Sequence, residues 1–246
     1  MKVISWGGRK KLMDLEFEEG RNYSVEITQE IDGFLISYHK ILFNGFSLEK
    51  TDIKLLLRRI AEVAKVLNVK ASQFVLEIVP DGITAAGCNV DKRNVVHLVL
   101  PIDLHNGHIT IPSREIDENY LLYHELMHAK DVLEGRFPSC GIIDSITDFR
   151  EYLRGFACDF SIEGRLEKNG IRHCPKEQAI ENVYQCIVEN HELGLFPEES
   201  KSISKGFLTQ LCDSVWGKEL TSSEIDAIIR KLNESIDSDS VQESKP

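Results

Sequence analysis

The sequence His-Glu-Leu-Met-His at residues 124–128 places two imidazoles four positions apart. Residues at that spacing lie on the same face of an α-helix. Two neutral ring nitrogens on one face can bind the same Zn²⁺ ion, each at about 2.0–2.1 Å from the metal. Glu125 lies one position further round the helix, where its carboxylate can act as a general base on a metal-bound water. The stretch therefore predicts a helix that carries a metal site.

The residues around this stretch predict a mostly buried helix over about 114–134. Ser113 can cap its start and Gly135 can end it. Leu122, Leu126 and Leu133 recur at helical spacing between these two signals. A buried histidine without a polar partner is costly, and a shared metal ion would satisfy both rings. The context therefore favours a metal site over an exposed helix that happens to carry two histidines.

The pattern H-E-x-x-H resembles the zinc-binding signature of the zincin metallopeptidases, and strands followed by such a helix resemble the minimal zincin core. The resemblance covers about residues 83–165. It implies a zinc-dependent metallopeptidase that hydrolyses peptide or protein substrates, with His124 and His128 as zinc ligands and Glu125 as catalytic base. It also implies an edge strand before the helix that binds an extended peptide by strand addition. Residues 95–100 are the candidate edge strand, although a buried core strand has the same pattern.

Catalytic zinc typically has three protein ligands and one position left for water. In the gluzincin branch of the zincins the third ligand is a glutamate on the next helix, and segment 151–157 resembles such a helix. Glu151 is therefore the predicted third ligand. Arg154 and Gly155 depart from the family, since many gluzincins carry an aspartate or alanine shortly after the ligand. The alternatives for the third ligand are Asp148, Asp159, Glu163 and His173.

A zinc peptidase needs further groups around the metal. Ligating imidazoles usually donate their second N–H to a carboxylate or a carbonyl, and Asp131 or Asp159 can accept it. A tetrahedral oxyanion also needs a hydrogen-bond donor. Spacing singles out none of the four candidates, which are Tyr152, Arg154, Tyr184 and His191.

Hydrophobic periodicity predicts an α+β fold, in which a small β-sheet is followed by a helical zincin-type core. Strands are predicted near 23–28, 34–38, 74–79, 85–90 and 95–100, with a turn at Asp32-Gly33 and a helix to about residue 68. Helices are predicted near 114–134, 145–168, 176–192, 199–213 and 222–236. The chain is divided into an N-terminal β-rich segment (1–50), a zincin-like catalytic domain (51–236) and a disordered tail (237–246).

Composition narrows the class of protein. The net charge of −11 argues against a general binder of nucleic acid or of anionic membranes. Charges interrupt residues 1–20, so no signal peptide is predicted, and no apolar run is long enough to span a membrane. We therefore expect a cytoplasmic protein, whose six cysteines stay free because the cytosol is reducing. None of them forms a C-x-x-C pair, so the sequence does not support a zinc ribbon. The oligomeric state stays open.

A second reading of the same residues is a zincin-fold metal-binding or regulatory protein without peptidase activity. Its site would be structural, with four protein ligands and no open position. Cys158 or His173 as the fourth ligand would favour that reading. A third reading treats the motif as accidental and the protein as an interaction module.

Overall fold

The protein is represented by a computed structural model that describes residues 23–41, 50–80, 87–102, 118–138 and 149–242. The described residues fall into two compact units, 23–138 and 149–242. The first unit holds the sheet and the H-E-x-x-H helix, and the second is helical. The α+β class predicted from the sequence is confirmed.

The first unit is built on a five-stranded sheet. The strands are β1 (Tyr23–Ile31), β2 (Phe34–Ile41), β3 (Gln73–Pro80), β4 (Gly87–Val90) and β5 (Val95–Ile102). Their order in the sheet is β1-β2-β3-β5-β4. Strands β1 and β2 form the predicted hairpin, because Asp32 and Gly33 both adopt positive φ, at 51° and 85°. The predicted N-terminal segment thus shares one sheet with the three later strands.

Two helices complete this unit. Helix α1 (Lys50–Val66) connects β2 to β3, which pair in parallel and so need a crossover between them. Helix α2 (Glu118–Leu133) contains the H-E-x-x-H residues and packs against β4 and α1. Leu122, Leu126 and Ala129 form the fully buried side of α2. Helix α2 therefore packs against both the sheet and the other helix of its unit.

Of the two readings of residues 95–100, the buried core strand is confirmed and the edge strand is wrong. Strand β5 lies inside the sheet, with β3 parallel on one side and β4 antiparallel on the other. Its nearly continuous apolar sequence is typical of an interior strand that has parallel neighbours. The strand also continues beyond the end predicted at residue 100 and ends at Ile102. Among the strands that the structure describes, β4 is the edge on this side of the sheet.

The second unit consists of four α-helices and one 3₁₀-helix. They are α3 (Phe149–Lys168), α4 (Lys176–Glu192), the 3₁₀-helix Glu198–Ser202, α5 (Lys205–Val215) and α6 (Ser222–Gln242). Helix α3 is central and packs against α4, α5 and α6. Arg154 ties α3 to α6 through two hydrogen bonds to the Asp226 carboxylate, at 2.8 and 2.9 Å.

Most predicted helices are confirmed, with shifted ends. The helix predicted at 199–213 is interrupted, because the Ser204 hydroxyl accepts a hydrogen bond from the Phe207 N–H and caps a new helix at Lys205. Helix α6 extends to Gln242, beyond the end predicted at residue 236. The starts predicted at residues 114 and 145 lie outside the described residues. None of the described helices is both long and apolar enough to cross a membrane.

The close approach of Gly164 on α3 to Gly217 yields a stability prediction. A Cβ at residue 164 would lie 2.7 Å from the Gly217 Cα and 2.7 Å from the Trp216 ring. We therefore expect Gly164→Ala to lower the free energy of unfolding, measured in urea, by about 2–3 kcal/mol. Gly155→Ala on the same helix is the matched control: its Cβ would meet nothing within 4 Å, so it should stabilise by roughly 0.5–1 kcal/mol. Equal effects of the two substitutions would contradict this packing.

Candidate metal centre

The side chains of His124 and His128 on helix α2 approach each other through their Nε2 atoms. Their Nε2 atoms are 3.2 Å apart, and the rings are inclined at 70° with centroids 4.9 Å apart. Two nitrogens bound to one tetrahedral zinc at about 2.0–2.1 Å would be separated by about 3.3–3.4 Å. The observed separation also suits a hydrogen bond between two neutral rings. The pair is therefore shaped to share either a proton or a metal ion.

Glu125 and His128 lie in a largely apolar environment. Their side chains are 7% and 6% exposed, whereas His124 is half-buried. Within the part of the chain that the structure describes, the Glu125 carboxylate makes no hydrogen bond or ion pair. Burying a carboxylate is unfavourable unless a polar partner is present. Glu125 is thus placed to act on a polar molecule that enters from the half-open side at His124.

The end of α2 is built around Asp131. Gly135 adopts a φ of 74° and ends the helix, and the Arg136 N–H then donates to the Asp131 carbonyl at 2.8 Å. This pattern is a Schellman motif, in which glycine is favoured because of its left-handed backbone. The motif also brings the Arg136 guanidinium to the Asp131 carboxylate, with Nη1 and Oδ1 3.2 Å apart. Asp131 was predicted from the sequence as a possible partner of a ligating imidazole, but its ion pair with Arg136 was not. Glycine followed by arginine directly after a helix is the signal that could have predicted this contact.

Besides Glu151, the candidates for the third ligand are three acids and one histidine. Two of these four, Glu163 and His173, make contacts within the second unit. The buried Glu163 carboxylate accepts a hydrogen bond from the Cys174 N–H at 2.6 Å. His173 Nε2 lies 3.6 Å from Glu167, in the turn after α3. Asp148 lies outside the described residues. Glu163 and His173 therefore stabilise the turn from α3 to α4.

Glu151 and Asp159 are the remaining candidates on α3. Both are half-buried. Burial raises the pKa of the Cys186 thiol on α4 to about 11, and the charge of Asp159 adds to that rise. Asp159 therefore lies close to the Cys186 thiol within its helical unit. Glu151 lies in the first turn of α3, where the helix dipole favours an acid.

The oxyanion candidates are mostly engaged within the second unit. Tyr152 packs against Phe196 with ring centroids 4.3 Å apart, and burial raises its pKa. His191 Nδ1 lies 2.9 Å from the Ser200 hydroxyl. Arg154 binds Asp226, as described above, and Tyr184 is half-buried. None of these contacts assigns an oxyanion donor.

Five of the six cysteines fall in the described residues, and no disulfide joins any two of these five. Cys88, Cys158, Cys186 and Cys212 are buried, and Cys174 is half-buried. Cys140 lies outside the described residues. Burial, reinforced by the charge of Glu163, raises the pKa of Cys174 to about 12.

Comparisons of the chain with protein-family models, with curated proteins and with solved structures found no match. No family is therefore shown for this protein. The resemblance to zincins stays a prediction that rests on residues 124–128 and on the elements around them.

The raised pKa of Cys174 predicts low thiol reactivity. With a pKa of about 12, only about one thiol in ten thousand is ionised at pH 8, against about one in ten for a thiol with a pKa near 9. We expect native Cys174 to react with iodoacetamide at least about 100-fold more slowly than in the urea-unfolded chain. The rate should rise with pH up to about pH 12. Labelling is followed by peptide mass spectrometry, and equal native and unfolded rates at pH 8 would contradict the environment described here.

Proposed function

We propose that this protein is a zinc-dependent metallopeptidase in which His124 and His128 hold the metal and Glu125 is the catalytic base. The observation that carries the proposal is the 3.2 Å approach of the two Nε2 atoms, close to the separation that a shared zinc ion requires. The half-buried His124 leaves one side of the pair open to a substrate. The buried Glu125 supplies a carboxylate next to both ligands.

Bound Zn²⁺ would polarise the scissile carbonyl and lower the pKa of a water in its open position. Glu125 would act as the general base, taking a proton from the attacking water and passing it to the leaving amine. Because His124 and His128 lie on the same face of α2, they would hold the metal beside Glu125.

We propose Glu151 as the third ligand, as the resemblance to gluzincins implies, with Asp159 as the competing residue on the same helix. Catalytic zinc takes three protein ligands, and His₂-carboxylate sets are established among metallopeptidases. Glu163 and His173, two of the other candidates, already hold the turn after α3.

Strand β4 is the proposed place for a peptide substrate. It is an edge strand, antiparallel to β5, and α2 packs directly against it. An edge strand presents unpaired backbone groups that can bind an extended peptide by strand addition. Such a peptide would run beside the helix that carries His124 and His128. The zincin resemblance implied that a peptide adds to residues 95–100 in β5, and we propose instead that it adds to β4.

The first test is zinc content, measured by elemental mass spectrometry on wild type and His124→Ala. We expect about one zinc per wild-type chain and loss of it in the variant, since one remaining imidazole binds weakly. Wild type without zinc, even after reconstitution, would overturn the proposal and leave the motif as an accident. Zinc without cleavage of any peptide in a library would instead support the metal-binding protein without peptidase activity.

Glu125→Gln separates catalysis from metal binding. The amide has nearly the same shape but cannot take a proton, so zinc content should stay at the wild-type level. The rate constant for peptide cleavage should fall by about 10²–10⁴-fold, the usual contribution of a general base. The readout is kcat on a peptide found in the library screen. Unchanged kcat would show that Glu125 is not the base.

Paired variants on α3 decide the third ligand. We expect Glu151→Gln to weaken zinc binding by more than about 100-fold, because losing a ligand exceeds the 10–100-fold effect of an outer partner. Asp159→Asn, on the same helix and also half-buried, is the matched control and should change affinity little. The zinc dissociation constant is measured by competition with a chelating dye. The reverse result would establish Asp159 as the third ligand and exclude Glu151.

A further inference from the structure

The solvent-facing side of helix α1 carries a concentration of positive charge. Its exposed side chains, where the structure describes them, are four cations, one acid and two aliphatic residues: Lys54, Leu55, Arg58, Arg59, Glu62, Lys65 and Val66. Four positive charges and one negative charge give this face a net charge of +3, on a chain whose net charge is −11. The opposite side of α1 is fully buried, at Leu57, Ile60 and Ala64.

Three of the cations form a basic stripe along the helix. A helix turns by about 100° per residue, so Lys54, Arg58 and Lys65 lie within about 40° of one another round its axis. None of the three makes an ion pair with another residue that the structure describes, whereas Arg59 pairs with Glu62 at 3.0 Å. Like charges four positions apart, such as those of Lys54 and Arg58, destabilise a helix. An acid supplied by another molecule would remove this repulsion.

Two aliphatic side chains lie beside the basic stripe. Leu55 is 53% exposed and Val66 is 64% exposed. They are eleven positions apart, which places them within about 20° of each other round the axis and about 16 Å apart along it. A single exposed aliphatic residue is common on a protein surface. Two on one line, next to a basic stripe, favour a surface that another molecule covers.

The combination of cations and aliphatic residues indicates the chemistry of the partner. A nucleic acid offers phosphates to the cations but binds mainly through polar and charged groups, so Leu55 and Val66 would gain little. A membrane-binding helix inserts a whole apolar face, whereas the apolar face of α1 is already buried inside the protein. An acidic amphipathic helix suits both kinds of residue, because it offers carboxylates to the stripe and apolar side chains to the aliphatic pair.

We propose that the exposed face of α1 is a docking surface for an acidic amphipathic helix of a partner protein. Carboxylates on one side of that helix would pair with Lys54, Arg58 and Lys65, and its apolar residues would pack on Leu55 and Val66. A helical partner is favoured over an extended one, because helical side chains recur on one face with the period of α1, whereas those of a strand alternate between two faces. This surface is independent of the metal site and of the proposed peptidase activity.

The test is fluorescence anisotropy with the full-length protein and a labelled helical peptide of about 18 residues, or five turns. Leucines recur in the peptide every three or four positions, with glutamates beside them and alanines elsewhere. We expect saturable binding that Arg58→Glu weakens by at least about 10-fold, because the exchange turns an attraction into a repulsion. Lys92→Glu replaces an exposed cation in the turn between β4 and β5, and as the matched control it should leave the affinity unchanged.

Leu55→Ala tests the aliphatic pair. We expect binding to weaken several-fold, because the complex buries less apolar area. Leu193→Ala is the matched control, since Leu193 is 72% exposed in the second unit. Raising the concentration of NaCl from about 0.05 M to about 0.5 M should also weaken the wild-type complex, because salt screens exposed charges.

Competing partners are tested in parallel, with vesicles of phosphatidylserine and phosphatidylcholine and with a short DNA duplex. Tighter binding of either one than of the acidic peptide, lost in Arg58→Glu, would overturn the acidic helix as the occupant. Absence of saturable peptide binding would overturn the docking surface, and so would equal losses in Arg58→Glu and Lys92→Glu. If Arg58→Glu fails to fold, judged by far-ultraviolet circular dichroism, Lys54→Glu replaces it and wild-type affinity in that variant contradicts the proposal.

Discussion

The burial of helix α2 is the constraint on which the candidate site depends. The helix packs on β4 and α1, so most of its circumference is withdrawn from water, yet it carries two imidazoles and two carboxylates in eight residues, 124–131. Each of these polar groups must find a partner inside the protein. The imidazoles face each other, and Asp131 pairs with Arg136. A helix of this kind is typical of a functional site rather than of a structural core.

The acids of α3 show how one helix separates structural from functional roles. Glu163 satisfies the backbone of the following turn, and Arg154 joins α3 to α6. These contacts give Glu163 and Arg154 structural roles inside the helical unit. Asp159 and Glu151 are both half-buried on the same helix. The scaffold therefore reduces the number of candidate ligands without deciding between the last two.

The proposed metal site and the proposed peptide-binding edge depend on different lengths of chain. His124 and His128 lie one turn apart on one helix, so local geometry brings them together. A peptide-binding edge needs the whole sheet, because an edge strand is defined by the neighbour that is missing. The sequence accordingly predicted the helix but left residues 95–100 open between an edge strand and a core strand, and only the order of the sheet decides for the core strand.

Several features followed from the sequence by itself. The Asp32-Gly33 hairpin, the helix around residues 124–128, its glycine stop and the α+β class all depend on contacts a few residues apart, and local propensity governs those contacts. Only the tertiary structure decided that β5 is interior and that the Glu163 carboxylate binds the backbone of the turn after α3. These outcomes depend on which distant segments become neighbours, and hydrophobic periodicity reports that a face is buried without reporting what buries it.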